Sequence, residues 1–548
     1  MKIWEILSSQ KILNSAELLE VLLSNRGISE SEKDLFLNPP PVSWWLKNLE
    51  DSFKKSLRNS RNKILEYIDS NLPILIYGDY DADGVCATAI LYNTIKNELN
   101  YSNVYYFIPN RFEHGYGLSE KSLDLCFELI GKPSKSLLIT VDTGITAVKP
   151  LEYAMKYNFE VIVTDHHQKP EVLPNALEIV WNAALVGAGI SYVISKGLGS
   201  KDSKNLALAA LATVADLQPL TNFNRSIVKE GLEIFNSSPP VGISKLLQIS
   251  GRKEGSVSAY DLGWILAPRI NAAGRILDAS ESLALLIEND ESKVHELALR
   301  LDELNRIRQD KTNEMYELIS EHSEIPDIII SSHDSFHEGI IGIVASRLVQ
   351  KYNRPSIVIS LKEEYGKGSV RSIFGIDIIS ILRNFEDLFV NVGGHKLAAG
   401  FTIEKDKIPL LKSKIEEYFA KNISRDLLMP RLIIDSEIPL DLINLEMIDQ
   451  LSKLEPYGYG NNEPVFCTKN VGITSINKIG KDKNHLNITV FQNNIYSKAL
   501  FFNFPSELEE LKVGERVDIA YTLKKSEFNN KIGVDLLIKD LKFDKKNV

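Results

Sequence analysis

The chain has 548 residues, of which 44% are hydrophobic and 25% are charged, fractions that are typical of a soluble globular protein. A chain of this length exceeds a single core, so about three or four domains are expected. The net charge of −10 argues against a surface that is basic throughout, although a local basic patch is compatible with it. The sequence has no signal-peptide pattern, no apolar run of the roughly 20 residues that span a bilayer, and three cysteines without a C-x-x-C pair. These features predict a cytoplasmic protein that is not membrane-bound and has neither a zinc site nor a disulfide.

The first half of the chain is predicted to contain three parts. Residues 1–55 should form an N-terminal segment of short helices. Residues 56–240 alternate strand, turn and helix patterns, which predicts a doubly wound parallel α/β domain. Residues 241–324 should supply core helices, since the stretch near 281–322 has helical periodicity and neither glycine nor proline. We expect that stretch to be a long connecting helix or a pair of helices.

Two further domains are predicted in the rest of the chain. Residues 325–425 should form a second α/β domain, with strands near Asp327–Ile330 and Ser356–Ile359. Residues 426–548 become alternating and strand-rich, which predicts a small β-barrel. Residues 469–548 contain 14 Lys and Arg against 10 Asp and Glu, an excess of 14 − 10 = 4, so this end is locally basic.

Acidic and imidazole side chains directly follow three apolar runs of the first α/β domain. They are Asp79, Asp81 and Asp83 after Ile74–Tyr77, Asp142 after Leu137–Val141, and Asp165, His166 and His167 after Val161–Val163. The runs are short and continuous, as expected for buried parallel strands. Ligands bind beyond the carboxyl ends of such strands, so these side chains should converge at one edge of a sheet. Carboxylates with some imidazole favour Mg²⁺ or Mn²⁺ over a thiolate-held metal.

Other roles for these residues have to be weighed. Asp79–Gly84 has the pattern that begins an EF-hand calcium loop, but the twelfth position, which requires a glutamate, is Ile90. Each group alone also has an ordinary structural alternative: a solvated acidic turn, a helix cap at Asp142, or a surface pair at His166 and His167. Their occurrence after three strands of one domain favours a shared site for two cations, as in two-metal phosphoesterases.

At this point the sequence resembles a known family. Gly78–Gly84, Asp142–Gly144, Asp165–His167 and Ala215–Asp216 resemble the four motifs of the DHH phosphoesterase superfamily. Over about residues 65–545 the resemblance to the RecJ family of single-strand-specific exonucleases is closer still. The segments that carry it are Ile108–Ser119, Pro268–Arg275, Gly339–Arg347, Gly366–Ser372, Gly393–Phe401 and Pro456–Pro464. One departure is Trp181-Asn182-Ala183, which stands where an Asn-Pro is usual.

The resemblance implies a DHH domain, a DHHA1 domain joined to it by a long helix, and a C-terminal OB-like barrel. It also implies two ions, Mn²⁺ or Mg²⁺, held by Asp79, Asp81, Asp83, Asp142, His166 and Asp216. Asp81, Asp142, His166 and His167 are the expected catalytic residues, His167 acting as a ligand or a phosphate contact. Asp165 is expected to orient a histidine.

Substrate contacts are expected from arginines and from glycine-containing segments. Gly366–Ser369 lacks the Walker A spacing, but its glycines, followed by Ser369 and Arg371, suit phosphate binding. Gly393-Gly394-His395 follows the same logic, with a structural histidine as the alternative. Arg111 and Arg275 are expected in glycine-containing loops, where they would clamp a phosphate backbone or form ion pairs. The full expected set is Arg111, Asn271, Arg275, Arg347, Ser369, Arg371 and His395.

The resemblance implies a 5′→3′ exonuclease that releases 5′-mononucleotides from single-stranded DNA in recombination and repair. It would act as a monomer, beside a helicase and a single-strand-binding protein. One alternative is a phosphodiesterase of nano-RNA, cyclic dinucleotides or 3′-phosphoadenosine phosphate, which would leave the barrel unexplained. Another is a catalytically dead replication scaffold, which would have lost metal-binding acids that this chain retains.

Overall fold

The computed structural model describes residues 2–115, 117–253, 255–320, 325–505, 508–528 and 531–543. The chain divides into two compact units. The first unit comprises Met1–Asn38, Ile423–Tyr457 and Asn461–Val548, and the second comprises Pro39–Asn422 and Gly458–Gly460. Among the described residues, no helix combines the length and the apolar character needed to cross a membrane.

The N-terminal segment begins with strand β1 (Ile3–Ser8), followed by helices α1 (Ser15–Asn25) and α2 (Lys33–Leu37). The expectation of helices throughout this segment is therefore wrong for β1. That strand pairs in parallel with residues 431–436, near the other end of the chain, so no local sequence signal could reveal its partner. Leu18 and Leu22 of α1 share a hydrophobic core with Phe466 and Tyr521, which places the first 38 residues in the same unit as the C-terminal strands.

The second unit opens with the predicted parallel α/β domain. Its elements are α3 (Val42–Lys47), α4 (Asp51–Asp69), β2 (Ile74–Gly78), α5 (Ala82–Asn93), β3 (Val104–Phe107), α6 (Glu120–Leu129), β4 (Ser136–Val141), α7 (Val148–Lys156), β5 (Phe159–Asp165) and β6 (Glu178–Trp181). The sheet order is β3-β2-β4-β5-β6, and all neighbours are parallel. β2 and β4 are buried along their whole length, which confirms the prediction from their continuous apolar runs.

A set of helices follows this sheet in the chain. They are α8 (Gly187–Gly197), α9 (Lys204–Ala215), α10 (Asn222–Ser237), α11 (Val241–Ile249), α12 (Ala259–Asp261), α13 (Ala267–Ile276), α14 (Ser280–Ile287) and α15 (Glu291–Ser320). A π-helical turn, Leu262–Leu266, joins α12 to α13. The predicted long helix or helix pair is a pair, α14 and α15, and residues 321 and 322 of that stretch lie outside the described residues.

The second α/β domain lies in the same unit. It contains β7 (Ile329–His333), α16 (Ile341–Tyr352), β8 (Ser356–Leu361), β9 (Tyr365–Arg371), α17 (Ile378–Arg383), β10 (Phe389–His395), β11 (Ala398–Glu404) and α18 (Ile408–Asn422). The sheet order is β10-β11-β9-β8-β7. Only β7 and β8 are parallel, and helix α16 connects them, whereas short turns join the antiparallel pairs β8–β9 and β10–β11. Helix α17 lies between β9 and β10, which do not pair with each other.

The C-terminal strands close into a barrel. The elements are β12 (Arg431–Glu437), α19 (Leu445–Ser452), β13 (Phe466–Ile479), β14 (His485–Gln492), β15 (Ile495–Phe501), β16 (Arg516–Phe528) and β17 (Lys531–Phe543). Five strands run in the order β13-β14-β15-β17-β16, and β16 pairs back onto β13. Closure removes the exposed sheet edges, and it confirms the predicted small barrel.

Candidate active site

The predicted acidic and imidazole residues meet at one edge of the parallel sheet. β2, β4 and β5 lie side by side, with Gly78 opposite Val141 and Val141 opposite Thr164. The residues after each strand therefore emerge together, at the edge where α/β sheets bind ligands. Asp79, Asp142 and Asp165 are at most 3% exposed, so these carboxylates are almost completely removed from water.

The turn after β2 is organised by its own carboxylates. Asp81 caps α5 and accepts hydrogen bonds from the backbone nitrogens of Asp83, at 2.9 Å, and Gly84, at 3.2 Å. Gly84 is needed because a Cβ there would lie 2.6 Å from the backbone nitrogen of Asp79. The two carboxylate oxygens of Asp83 accept the N–H groups of Gly187 and Ala188, both at 2.7 Å. The positive end of α8 thus faces the buried Asp83 carboxylate.

The His166 ring lies among three carboxylates. Its Nε2 atom is 3.1 Å from Oδ1 of Asp142, 3.6 Å from Oδ2 of Asp83 and 3.7 Å from Oδ2 of Asp216. Its Nδ1 atom lies 3.3 Å from the side-chain nitrogen of Gln218. Gln218 therefore fixes which ring nitrogen faces the carboxylates.

Asp142 occupies a strained and crowded position. Its φ of 60° is in the left-handed region, which few residues other than glycine, asparagine and aspartate tolerate. Gly187 packs directly against it, since a Cβ on Gly187 would lie 2.4 Å from Cβ of Asp142. Oδ1 of Asp142 is buried, and although Nε2 of His166 lies 3.1 Å away, no described residue donates to it with hydrogen-bond geometry. A buried carboxylate oxygen without a donor is costly unless another group satisfies it.

Asp165 supports both histidines instead of joining the carboxylates around Nε2 of His166. Its Oδ1 atom accepts the backbone N–H groups of His166, at 2.7 Å, and His167, at 3.0 Å, and lies 2.7 Å from Nδ1 of His167. The expected orienting role of Asp165 agrees with this geometry. Trp181, in the segment that departs from the family pattern, donates its indole N–H to the carbonyl oxygen of His167 at 2.8 Å. Trp181 therefore helps to hold the backbone of His167 in place.

Burial and mutual repulsion raise the pKa values of the clustered acids. Burial, followed by the charge of Asp81, raises the pKa of Asp79 to about 8 and that of Asp216 to about 7. Burial, with the charges of Asp216 and Asp81, raises the pKa of Asp83 to about 7. Burial, followed by the charge of Asp83, raises the pKa of Asp142 well above its ordinary value. Without cations, these groups resist being charged together at neutral pH.

The pKa values of the two histidines shift in different directions, and that of Asp165 is lowered. The hydrogen bond to Asp165 raises the pKa of His167 to about 9. Burial alone would raise the pKa of Asp165, but the hydrogen bond and charge of His167, with the backbone hydrogen bonds from His167 and Ile145, together hold that pKa below its ordinary value. Burial lowers the pKa of His166, so its ring is neutral at physiological pH, as a metal ligand must be.

The residues fit divalent cations. Three groups of ligand atoms each lie within 4.8 Å of one another: Asp142 with His166 and His167, Asp83 with His166 and Asp216, and Asp79 with Asp81 and Asp142. Asp142 belongs to two of these groups, and its unsatisfied buried oxygen is an open coordination position. Carboxylate oxygens with one or two imidazoles suit Mg²⁺ or Mn²⁺. A cation would also remove the repulsion that raises the pKa values.

In the second α/β domain, three predicted substrate residues share one face of the sheet. Arg371 pairs with Ala398 across β9 and β11, and Ala398 pairs with His395 across β11 and β10. Directly paired residues point to the same face, and Ser369, two residues before Arg371, points to that face as well. The guanidinium of Arg371 donates to Oγ of Ser369 at 3.2 Å.

The glycines of this face have two different roles. Gly400 and Gly393 continue the row from Ser369, and a Cβ would meet nothing within 4 Å at Gly393 and only a carbonyl oxygen, at 3.7 Å, at Gly400. This row leaves bare, exposed backbone beside Ser369. A Cβ at Gly368, in contrast, would lie 2.1 Å from the Phe401 ring. The glycines of this segment are expected to let backbone approach a phosphate. That expectation is wrong for Gly368, because packing against Phe401 requires a glycine there.

Three of the predicted arginines form a cationic group contributed by both α/β domains. Burial, followed by the charge of Arg111, lowers the pKa of Arg275 to about 10 and also lowers that of Arg371. The Arg111 guanidinium lies 5.4 Å from the centre of the Tyr80 ring, beside the acidic turn. The expectation of a loop is wrong for Arg275, which is in α13. A Cβ at the adjacent Gly274 would lie 2.6 Å from the carbonyl oxygen of Tyr80, so this glycine serves helix packing.

The other predicted substrate residues differ in their surroundings. Oδ1 of Asn271 accepts the backbone N–H of Ala82 at 2.8 Å, so Asn271 holds the acidic turn. Arg347 donates to Oδ1 of Asn313 at 2.5 Å and lies 4.3 Å above the Tyr316 ring, so α15 provides its partners. His395 is exposed at the end of β10. Tyr116, within the segment Ile108–Ser119 that resembles the family, lies outside the described residues.

Sequence reasoning missed several supporting groups. Gln218 and the N–H groups of Gly187 and Ala188 hold His166 and Asp83, but no local pattern distinguishes them from an ordinary loop and helix start. The small residues Gly187-Ala188-Gly189 at the start of a helix were the only available signal.

Comparisons with known proteins agree with this architecture. Three domain models match the chain: the N-terminal domain of the DHH family over residues 73–214, the DHHA1 domain over 326–421 and the RecJ OB domain over 434–540. The DHH match contains the strands and turns of the acidic cluster, and the DHHA1 match contains the face with Ser369 and Arg371.

Similar proteins match most of the chain. The chain is 33% identical over 546 residues to the single-stranded-DNA-specific exonuclease RecJ of Bacillus subtilis, a match that covers 96% of this chain and 68% of that protein. It is 30% identical over 516 residues to the protein of the same name from Haemophilus influenzae, covering 87% and 89%. The crystal structure of RecJ from Thermus thermophilus in complex with Mn²⁺ superimposes with a TM-score of 0.82 and 29% identity, covering 99% of this chain and 80% of that one. The chain therefore belongs to the RecJ family of DHH phosphoesterases.

Proposed function

We propose that this chain is a metal-dependent exonuclease that degrades single-stranded DNA from the 5′ end and releases 5′-mononucleotides. One observation carries the proposal: Nε2 of His166 lies within 3.7 Å of three buried or half-buried carboxylates, and the one at 3.1 Å, Oδ1 of Asp142, receives no hydrogen bond of good geometry. Cations bound in such a cluster would neutralise the repulsion between its carboxylates. The names of the relatives supply the DNA preference, and the family resemblance supplies the polarity.

The metal-binding residues are those expected from the sequence. Asp79, Asp81, Asp83, Asp142, His166 and Asp216 would hold two ions. Mn²⁺ and Mg²⁺ are the candidates, since the Thermus protein has been crystallised with each. When bound, the ions would supply Lewis-acid activation of water and neutralise charge on the phosphoryl oxygens.

The chain's own groups would position the phosphodiester. Asp165 engages Nδ1 of His167, so Nε2 of His167 is the nitrogen left for an ion or a phosphate oxygen. Arg111 and Arg275 would bind backbone phosphates from the first domain, and Arg371 with Ser369 from the second. These guanidiniums repel one another, and a phosphate anion relieves that repulsion.

The geometry also suggests how an end is selected. The two α/β domains touch within one compact unit, where the Phe112 and His337 rings lie edge to face at 5.6 Å. Guanidiniums from both domains would grip one strand, which favours single-stranded over duplex DNA. The row from Ser369 through Gly400 to Gly393 leaves room for a terminal phosphate and sugar against bare backbone, and His395 borders it. Holding the terminal phosphate there would fix the scissile bond one nucleotide inward.

The two alternatives account for less of the chain. A phosphodiesterase of short or cyclic nucleotides explains the two α/β domains but not the barrel that matches the RecJ OB domain. A dead scaffold explains the fold but not six retained candidate ligands with closely spaced ligand atoms. We further propose a role in recombination and repair as a monomer in the cytoplasm, beside a helicase and a single-strand-binding protein.

End-labelled oligonucleotides test the proposal. Linear single strands labelled at the 5′ or the 3′ end, the matching duplexes and a closed single-stranded circle would be incubated with Mn²⁺, with Mg²⁺ or with a chelator. We expect labelled mononucleotide at once from the 5′-labelled strand, progressive shortening of the 3′-labelled strand, and no product from the circle or with the chelator. Cutting of the circle, or release of the 3′ label first, would contradict the proposal. RNA strands of the same sequence test the preference for DNA.

A further inference from the structure

We propose that Tyr260 and Trp264 form a stacking platform for a nucleobase of the single-stranded substrate, outside the metal cluster. This inference rests on the proposed function and adds a base contact to its phosphate contacts.

The two rings are unusually accessible. Tyr260 is 59% exposed and Trp264 is 65% exposed. Their ring centroids are 6.1 Å apart and their planes differ by 23°, so the rings stack on each other and present a flat aromatic surface to solvent. Paired exposed aromatic rings of this kind usually mark an interaction site.

The rings lie on the same helical segment as two residues of the candidate site. Trp264 is in the π-helical turn Leu262–Leu266, which runs directly into α13 with Asn271 and Arg275. Trp264 precedes Asn271 by seven residues and Arg275 by eleven on this continuous helical segment, and Asn271 and Arg275, four residues apart, lie on one face of α13. Trp264 and Asn271 are about 10 Å apart along the axis at the usual rise per residue. π-helical turns recur at functional sites, where they redirect side chains.

A second contact ties the platform to the metal cluster. Gly263, next to Trp264, packs on α9, because a Cβ there would lie 3.2 Å from Cγ1 of Val214. Val214 is two residues before Asp216, the candidate metal ligand that caps α9. Leu217, which directly follows Asp216, is an apolar side chain that is 67% exposed. The turn that carries Trp264 therefore packs against the helix that delivers Asp216, and it runs into the helix that carries Arg275.

A nucleobase suits this surface. Every base has a flat π face, so stacking holds a strand without reading its sequence, as a non-specific nuclease requires. A strand whose phosphates contact Arg275 runs along the same helix that presents the rings. A phosphate contact and a base contact on one helix would hold the strand in a defined orientation.

Abasic substrates test the platform. A single abasic site would be placed at successive positions from the 5′ end of a strand, and kcat/KM for degradation would be measured with Mn²⁺. For the wild type, we expect a fall of about 5-fold or more at one or two neighbouring positions, the lower range for a lost base–aromatic stack. W264A should show the same fall on the intact strand and no further fall when the abasic site is at those positions.

Three variants serve as controls. W44A removes a tryptophan that is 44% exposed on α3, and it should degrade all substrates as the wild type does. W264F keeps an aromatic ring and should retain most of the activity. W264L keeps an apolar side chain of substantial size, which guards against a folding defect, and it should behave as W264A.

The outcomes separate the two hypotheses. If the wild type degrades no single strand, the proposed function is wrong. If the wild type degrades single strands but W264A matches it on every intact substrate, or if the abasic effect persists unchanged in W264A, the platform hypothesis is wrong. Unchanged DNA degradation would leave the ring pair as a surface for a protein partner.

Discussion

Replacing Asp142 by asparagine should stabilise the metal-free protein while abolishing its response to metal. Asparagine has nearly the same size as aspartate and tolerates the left-handed φ of 60°, whereas alanine would add backbone strain. The substitution replaces an ionisable carboxyl by a neutral amide in a buried cluster, where Asp83 is the charged neighbour that most raises the pKa of Asp142. The variant therefore tests the effect of charge repulsion in the cluster while leaving the shape of the site nearly unchanged.

The magnitude follows from the shifted pKa values. The pKa of Asp83 rises from 3.8 to about 7, so charging this buried group above pH 7 costs the folded protein about 4 kcal/mol at ~1.4 kcal/mol per unit. A pKa raised on folding means that the folded protein binds more protons than the unfolded chain, so stability is lost as pH rises from about 4 to 7. Asp142 shifts in the same direction. Metal-free Asp142→Asn should then exceed the metal-free wild type in stability by a few kcal/mol above pH 7, and by much less near pH 4.

Urea unfolding near pH 5 and near pH 8, with a chelator or with Mn²⁺, measures this difference. Mn²⁺ at about 100 times its Kd should stabilise the wild type by about 2.7 kcal/mol and the variant by less. Asp261→Asn is a matched control, because Asp261 is a buried acid that is paired with Arg252 at 3.0 Å. It should lose stability at both pH values and keep the wild-type response to Mn²⁺. The reasoning is refuted if metal-free Asp142→Asn is less stable than the wild type near pH 8 and gains equally from Mn²⁺.

Three further predictions concern substrate and domain organisation. Arg371→Ala should lower kcat/KM for single strands by about 10-fold or more, the scale of a lost charge-assisted hydrogen bond, and a loss of Mn²⁺ stabilisation instead would show that the domain roles are misassigned. Gly400→Val should fold normally yet lose activity, whereas Gly368→Ala should lower the urea midpoint because its Cβ would meet Phe401. Equal destabilisation by both variants would refute the interpretation that the backbone at Gly400 leaves space for substrate. Deleting residues 423–548 together with 1–38 should preserve cleavage of very short oligonucleotides and flatten the salt dependence of cleavage of long strands. Deleting 423–548 alone should expose the apolar face of α1, so that protein should aggregate. The barrel hypothesis is wrong if cleavage of short and long strands falls equally.

The metal cluster could be predicted from sequence because its geometry follows from a local rule. Parallel strands place the residues after them at one edge, so Asp79, Asp142 and His166 could be grouped without knowing the fold in detail. The strand rule does not apply to Asp216, because this residue follows a helix rather than a strand. Only the family resemblance placed Asp216 in the cluster.

Other parts required the folded chain. β1 pairs with residues distant in sequence, so its alternating pattern carried no information about its partner. Gly368 and Gly400 look alike in sequence, but a Phe401 ring fills the space beside one and open space surrounds the other. Gln218 has no pattern of its own, and its contact with His166 exists only because α9 ends beside β5.

Anomalous diffraction from crystals grown with Mn²⁺ would test the central claim most directly. The account predicts two manganese peaks in each chain, one bound by Asp83, His166 and Asp216 and one by Asp79, Asp81 and Asp142. In Asp142→Asn crystals at least one peak should disappear, together with the degradation of single-stranded DNA. Manganese bound elsewhere, or an active enzyme whose cluster stays empty at saturating Mn²⁺, would contradict the account.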